Sequence, residues 1–312
     1  MSSEVLLSEI FKVRSRFHRS INIIHDEKDI EIIDGYILTD LGKSILARIA
    51  LSLDPEEKIR SWSITGPYGS GKSAFSLFLL NLLKDPKYEE AQRARNLLKK
   101  EASLIYQRLF AHNDKVNEKG FFPLIINGSR IPIGVAILDA VDACIARSLR
   151  SNSKLAKRRL DISRLKNGLL SGNNLKPEDL IQILDEFKEY ICRVKGYAGV
   201  LMVIDELGKL MEYAALNPDQ GDVFILQSLA ELANRSGEEP LLLVTLLHQS
   251  FDRYAAGLSA LQQQEWAKVQ GRFEDIPFME ANDQILRLIG NAIERQGECD
   301  GLHAIIEEEA LR

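Results

Sequence analysis

Gly66, Pro67, Tyr68, Gly69, Ser70, Gly71, Lys72 and Ser73 match the pattern G-x-x-x-x-G-K-[ST] at every fixed position. Residues of these types at this spacing bind phosphate. The glycines let backbone N–H groups turn inward around an anion, Lys72 reaches the β and γ oxygens of a nucleotide, and Ser73 offers a hydroxyl to Mg²⁺. Ala74 follows in the first turn of a helix whose N-terminal dipole favours the same anion. A surface glycine turn with a stray lysine is the bland alternative, but it needs no strand before it and no apolar helix after it. A second pair of groups, Asp205 and Glu206, closes the unbroken apolar run 200–204. Two carboxylates at the end of a buried strand suit a division of labour, in which Asp205 holds Mg²⁺ through water and Glu206 polarises the water that attacks the γ-phosphate. Alone, such a pair also reads as a helix cap with a first-turn acid.

The elements that must position these groups are legible as runs. Residues 62–65 are apolar and end where the glycine loop begins; the helix after it carries Phe75, Leu77, Phe78, Leu79, Leu80, Leu82 and Leu83. The runs 121–126, 200–204 and 240–247 have the composition of strands buried on both faces, and 276–278 adds a short one. The predicted fold is α/β: a central parallel sheet of about five strands flanked by helices, with the phosphate loop and the acids at its C-terminal edge. Helical insertions fall at 86–119 and 131–197. Residues 207–234 read as two helices split near 217–221, because Pro218 cannot continue the first. Residues 1–58 form an N-terminal extension with strand character at 21–24 and 36–38, followed by a helix to Leu53 capped by Thr39 or Asp40. A helix at 283–294 and a final one past Gly297 begin a helical lid at 281–312, which reads either as a minimal lid or as the front of a longer protein.

With this order of motifs the chain resembles the additional-strand P-loop ATPases, the class that contains AAA+ proteins. The run ending at Asp205 and Glu206 resembles a Walker B strand. The resemblance implies that strand 240–247 lies between the Walker A and Walker B strands and presents a polar sensor at its end, His248 or Gln249, with Thr245 inside the strand. It implies that Gly-Arg-Phe-Glu at 271–274 carries an arginine finger, Arg272, donated to a neighbouring subunit. It implies that Asn127, ending strand 121–126, hydrogen-bonds the catalytic glutamate, and that 35–39 packs near the adenine. Each residue has a plainer alternative: a satisfied structural histidine, a surface ion pair, an Asn-Gly turn. The segment before Arg272 departs from the family pattern, being longer, rich in glutamine (Gln262, Gln263, Gln264) and without Arg-Pro before the glycine. The strings at 204–209, 246–249 and 266–275 are also similar to the N-terminal ATPase module of large bacterial phage-defence ATPases, which implies an ATP-driven assembly acting with other gene products.

Composition narrows the remaining classes. The 312 residues carry 40 Lys and Arg against 45 Asp and Glu, a net charge of −5, with 45% hydrophobic and 27% charged residues. That describes a globular chain and not a globally basic nucleic-acid binder. Basic residues still cluster at Lys12, Arg14, Arg16 and Arg19 and at Lys154, Lys157, Arg158, Arg159, Arg164 and Lys166. These are candidate contacts for DNA or RNA phosphates, or simply solvated helix faces, and no aromatics interleave in the second cluster. Cys144, Cys192 and Cys299 fit neither a zinc pattern nor a disulfide framework. No signal peptide and no long apolar run is present, so a cytoplasmic protein without membrane association is expected. The partners expected are further copies of the chain or other proteins, and the cofactors ATP and Mg²⁺. The rival to a turning-over ATPase is a nucleotide-gated switch or scaffold with little hydrolysis. Guanine specificity is not expected, because Asn-Lys-x-Asp is absent.

Overall fold

The computed structural model describes residues 7–14, 21–54, 56–111, 113–148, 154–171, 176–217 and 223–295. The chain divides into two compact units: residues 21–279, and residues 1–20 together with 280–312. The larger holds five parallel strands, β1 (Ser61–Thr65), β2 (Phe121–Asn127), β3 (Gly199–Asp205), β4 (Leu241–Leu247) and β5 (Glu274–Pro277), in spatial order β2-β3-β4-β1-β5. β4 therefore pairs with both the strand that leads to the glycine loop and the strand that ends in Asp205.

Why these runs form an inner sheet follows from the pleat. Successive side chains point to opposite faces, so a strand covered on both sides must be apolar at every position. Along β3, Val200, Met202 and Ile204 join one buried cluster while Leu201 and Val203 join the other; along β4, Leu241, Leu243 and Leu247 oppose Leu242, Val244 and Leu246. The second cluster is completed by α1 (Asp40–Ser52) and α2 (Lys72–Leu83), and the first by α3 (Leu207–Leu216) and α4 (Phe224–Asn234). All residues of α2 from Phe75 to Leu83 are buried, as an all-round apolar helix requires. β5 starts at Glu274, two residues before its apolar stretch, because Glu274 accepts from the Trp62 indole N–H at 2.9 Å and pairs with Arg48.

Other expectations shift at their edges. Residues 21–24 form no strand, with 21 and 22 irregular and 23 and 24 in a turn: the Asn22 side chain accepts from the N–H groups of Ile24 and His25, and Asp26 accepts from the Asn22 N–H, a local network that competes with a ladder. Residues 36–38 are irregular, and Thr39 caps α1 by accepting from the Gly42 N–H at 3.1 Å. Within the stretch 1–58, Ile23, Ile33, Leu38, Ile45 and Ile49 belong to the second core cluster. The first insertion forms three helices, Glu89–Glu101, Ser103–Phe110 and Asp114–Glu118. The second contains Ile133–Ser148, Lys154–Lys157, Arg159–Leu170 and Pro177–Glu189, the last ending in a π-turn at Tyr190–Val194. Its basic cluster is largely spent within the fold. Arg158 forks onto Glu186 at 3.0 and 2.7 Å, Arg159 onto Asp142 at 2.7 and 3.2 Å, and Lys166 pairs with Asp139. The split between α3 and α4 is present, with Pro218 itself outside the described residues.

In the smaller unit Phe11–Val13 pairs antiparallel with Ile293–Arg295, and Asn282–Ala292 is helical. Arg16, Arg19, Cys299 and the final helix expected past Gly297 lie outside the described residues. Among the described residues no helix is long and apolar enough to cross a membrane.

Candidate functional site

The glycine loop joins the C-terminal end of β1 to the first turn of α2, and its shape follows from its glycines. Gly69 (φ 76°) and Gly71 (φ 94°) occupy the left-handed region that side chains resist. A Cβ on Gly69 would meet nothing within 4 Å, whereas one on Gly66 would lie 2.5 Å from the Phe278 carbonyl oxygen. The loop is thus seated against the end of β5 and open on its outer side. Lys72 is 5% exposed and donates to the carbonyls of Gly66 at 2.5 Å and Pro67 at 2.8 Å and to the Ser70 hydroxyl at 3.3 Å. Burial lowers its pKa, and the charge of Asp205 opposes that shift.

Asp205 ends β3 two strands away from β1, yet it lies near enough to Lys72 and Ser73 for both to act on its pKa, and its carboxylate accepts from the Glu206 N–H at 2.9 Å. Burial and the charge of Glu206 raise its pKa, against the Glu206 N–H and the charge of Lys72, which lower it. The loop and the acid, more than a hundred positions apart in sequence, therefore share one corner at the C-terminal edge of the sheet. Glu206 stands in the left-handed region (φ 52°, ψ 39°) as the residue before α3. It is the one non-glycine with positive φ among the described residues, the kind of strain that collects at functional corners. Its carboxylate pairs with Lys209.

The remaining candidates are distributed unevenly. His248, just past β4, stacks on Tyr68 of the glycine loop with ring centroids 3.5 Å apart, and neither ring nitrogen has a hydrogen-bond partner. Burial lowers its pKa, and the charges of Lys72 and Lys209 lower it further. Gln249 is exposed, and Thr245 is buried in β4 with its hydroxyl donating to the Trp62 carbonyl at 3.2 Å. Asn127 stands in register with Asp205 across β2 and β3, but its side chain is exposed and Glu206 turns to Lys209 instead. Arg272 lies at the opposite, N-terminal edge of the sheet: its carbonyl accepts from the Ser61 hydroxyl, and its guanidinium pairs with Glu231 at 3.3 Å. Four strand steps of about 3.3 Å separate that edge from the glycine loop, beyond the reach of one side chain, so Arg272 cannot serve its own chain's loop. In the stretch 35–39, the Tyr36 ring stacks on Phe78 of α2 at 4.5 Å.

Two contributors carry no sequence signal of their own. Gly128 fits only because it lacks a side chain, since a Cβ there would lie 2.1 Å from the Glu206 carbonyl oxygen; its N–H donates to the Asp205 carbonyl at 2.8 Å. The Tyr254 ring packs on Gly208 of α3, where a Cβ would lie 2.1 Å from its hydroxyl oxygen, so the helix after β4 can lie against α3 only because position 208 is glycine. Isolated Asn-Gly and Leu-Gly pairs do not announce such contacts.

The donors at this corner fit a polyphosphate with a hard divalent cation. A glycine loop that is open at Gly69 and leads into the first turn of a helix suits the anion, and a hydroxyl and a carboxylate at one edge are oxygen ligands of the kind Mg²⁺ takes. No protein-family model and no curated protein matches the chain. Among solved structures it is similar to the Aeropyrum pernix ORC2 protein in its ADPNP–ADP complexes, with a TM-score of 0.45 and 14% sequence identity. The alignment covers 91% of this chain and 56% of that one, so the chain spans little more than half the length of that structure.

Proposed function

We propose that the chain binds ATP with Mg²⁺ and hydrolyses it within an assembly of several subunits, using the cycle to drive a conformational change. The observation that carries this reading is the parallel register, Thr65 opposite Leu247 and Ile204 opposite Thr245, which brings the end of β1 and the end of β3 to one edge with β4 between them. Lys72 and the loop amides hold the β and γ phosphates, Ser73 and Asp205 hold the cation, and Glu206 takes the proton of the attacking water. When bound, Mg²⁺ supplies positive charge to the phosphate oxygens. His248 faces the same corner with two unpartnered ring nitrogens, which supports a sensing role toward the γ-phosphate. Arg272, too far from its own chain's loop to reach it, is assigned here to a neighbour's site, where such an arginine contributes about 10³ to 10⁵ in rate.

The assembly is of this chain with itself or with other proteins in the cytoplasm. Phage defence is the wider setting that the sequence resemblance implies. With the basic cluster of the second insertion largely paired to acids, nucleic acid is the less favoured client. The test is phosphate release across a range of protein concentrations, with Arg272→Ala and Glu206→Gln subunits also mixed. Turnover that rises with concentration and returns in the mixture supports the reading. Negligible turnover at every concentration, with ATP bound, leaves a nucleotide-gated switch.

A further inference from the structure

Glu206 has Lys209 as its side-chain partner among the described residues, three positions along the first turn of α3. The pair is fixed from the backbone outward. Glu206 is locked in the left-handed region, the Lys209 N–H donates to the Glu206 carbonyl at 3.0 Å, and the next turn of α3 ties Glu212 to Arg130 of the loop after β2 at 3.4 Å. The amide best placed to compete, that of Asn127, stays exposed one strand away. The carboxylate assigned to the water is therefore held by a cation on its own helix.

We propose that Lys209 is a latch on Glu206, a positioning residue that restrains turnover; this rests on the hydrolytic reading above. The ammonium occupies Oε2 of Glu206, so in the paired state that oxygen is taken and the carboxylate is held toward its own helix. Hydrolysis then proceeds from the fraction of molecules in which the pair has opened. Both partners are partly solvated, with side-chain exposures of 28% for Glu206 and 45% for Lys209, so the latch is weak and reversible. A pair of this kind shifts an equilibrium by about two- to fivefold.

The experiment measures kcat, KM and the Kd for Mg·ATP on wild type, Lys209→Met, Lys209→Gln, Glu206→Gln and the Lys209→Met/Glu206→Gln double variant, at low and high salt. Both Lys209 variants should raise kcat about two- to fivefold at low salt while Kd and the melting temperature hold. Wild type should approach them as salt screens the pair, and the double variant should stay as inactive as Glu206→Gln. A kcat at or below wild type in both folded variants overturns the latch, as does a gain that survives without Glu206. If wild type and both variants bind ATP and none turns it over, the hydrolytic reading falls as well. A wild type that turns over beside slower variants removes the latch alone.

Discussion

Replacing Gly128 with alanine puts a single methyl group against the peptide that carries both strand-end acids. The new Cβ would lie 2.1 Å from the Glu206 carbonyl oxygen, 2.8 Å from its carbon and 3.0 Å from the Asp205 oxygen, all backbone atoms that no rotamer change can clear. Relief requires about 1 Å of movement between the end of β2 and the Asp205–Glu206 peptide, because atoms in real packing stay at least that much farther apart. That shift breaks the 2.8 Å bond from the Gly128 N–H to the Asp205 carbonyl. Overpacking costs about 1–3 kcal/mol and the lost hydrogen bond about 1 kcal/mol, so unfolding free energy should fall by roughly 2–4 kcal/mol. A base displaced by about 1 Å also loses on the order of 10²-fold in rate, so kcat should drop well beyond what partial unfolding explains. Urea titration and phosphate release on the same preparation read both quantities. A variant within about 0.5 kcal/mol of wild type, with kcat intact, would refute the packing of Gly128 on the acids.

Three more outcomes follow from buried groups. Burial raises the Asp205 pKa, so its ionised form costs stability: the contribution is fully present below the unfolded carboxyl value and is lost as pH rises through the folded one. Asp205→Asn should therefore melt higher than wild type at neutral pH without nucleotide, with the difference shrinking on acidification, as thermal scans from pH 7 to 4 will read. Arg60, 1% exposed, donates to the carbonyls of Ser52 at 2.9 Å and Gly237 at 2.6 Å and to the Ser236 hydroxyl at 3.0 Å. Arg60→Met orphans these acceptors and should cost about 2–4 kcal/mol in a denaturant titration, with nucleotide affinity per folded molecule unchanged. Burial pushes the Cys192 thiol up to about 11, so at pH 8 it should resist alkylation in the native protein and react once urea unfolds the chain.

The sheet was readable because inner parallel strands must be apolar on both faces, and β3 and β4 are unbroken runs. The glycine loop was readable because its conformation demands glycine at Gly69 and Gly71 and its chemistry demands lysine and serine. Charge pairing was not readable. Arg158, Arg159 and Lys166 look like a basic strip in sequence, and their partners Glu186, Asp142 and Asp139 reach them only through helix packing. The turn at 21–24 escaped because Asn22 and Asp26 satisfy their own backbone where apolar isoleucines pointed to a strand. The contact of Lys209 leaves no trace in the sequence, because it depends on the left-handed backbone of Glu206, which periodicity does not reveal.

The most direct measurement of the shared corner is nucleotide affinity with and without Mg²⁺ on wild type, Ser73→Ala, Asp205→Asn and the double variant. If the hydroxyl and the carboxylate hold one cation, Mg²⁺ tightens binding to wild type, either substitution removes most of that gain, and the second adds little to the first. Effects that simply add, or an affinity indifferent to Mg²⁺ in wild type, would contradict it.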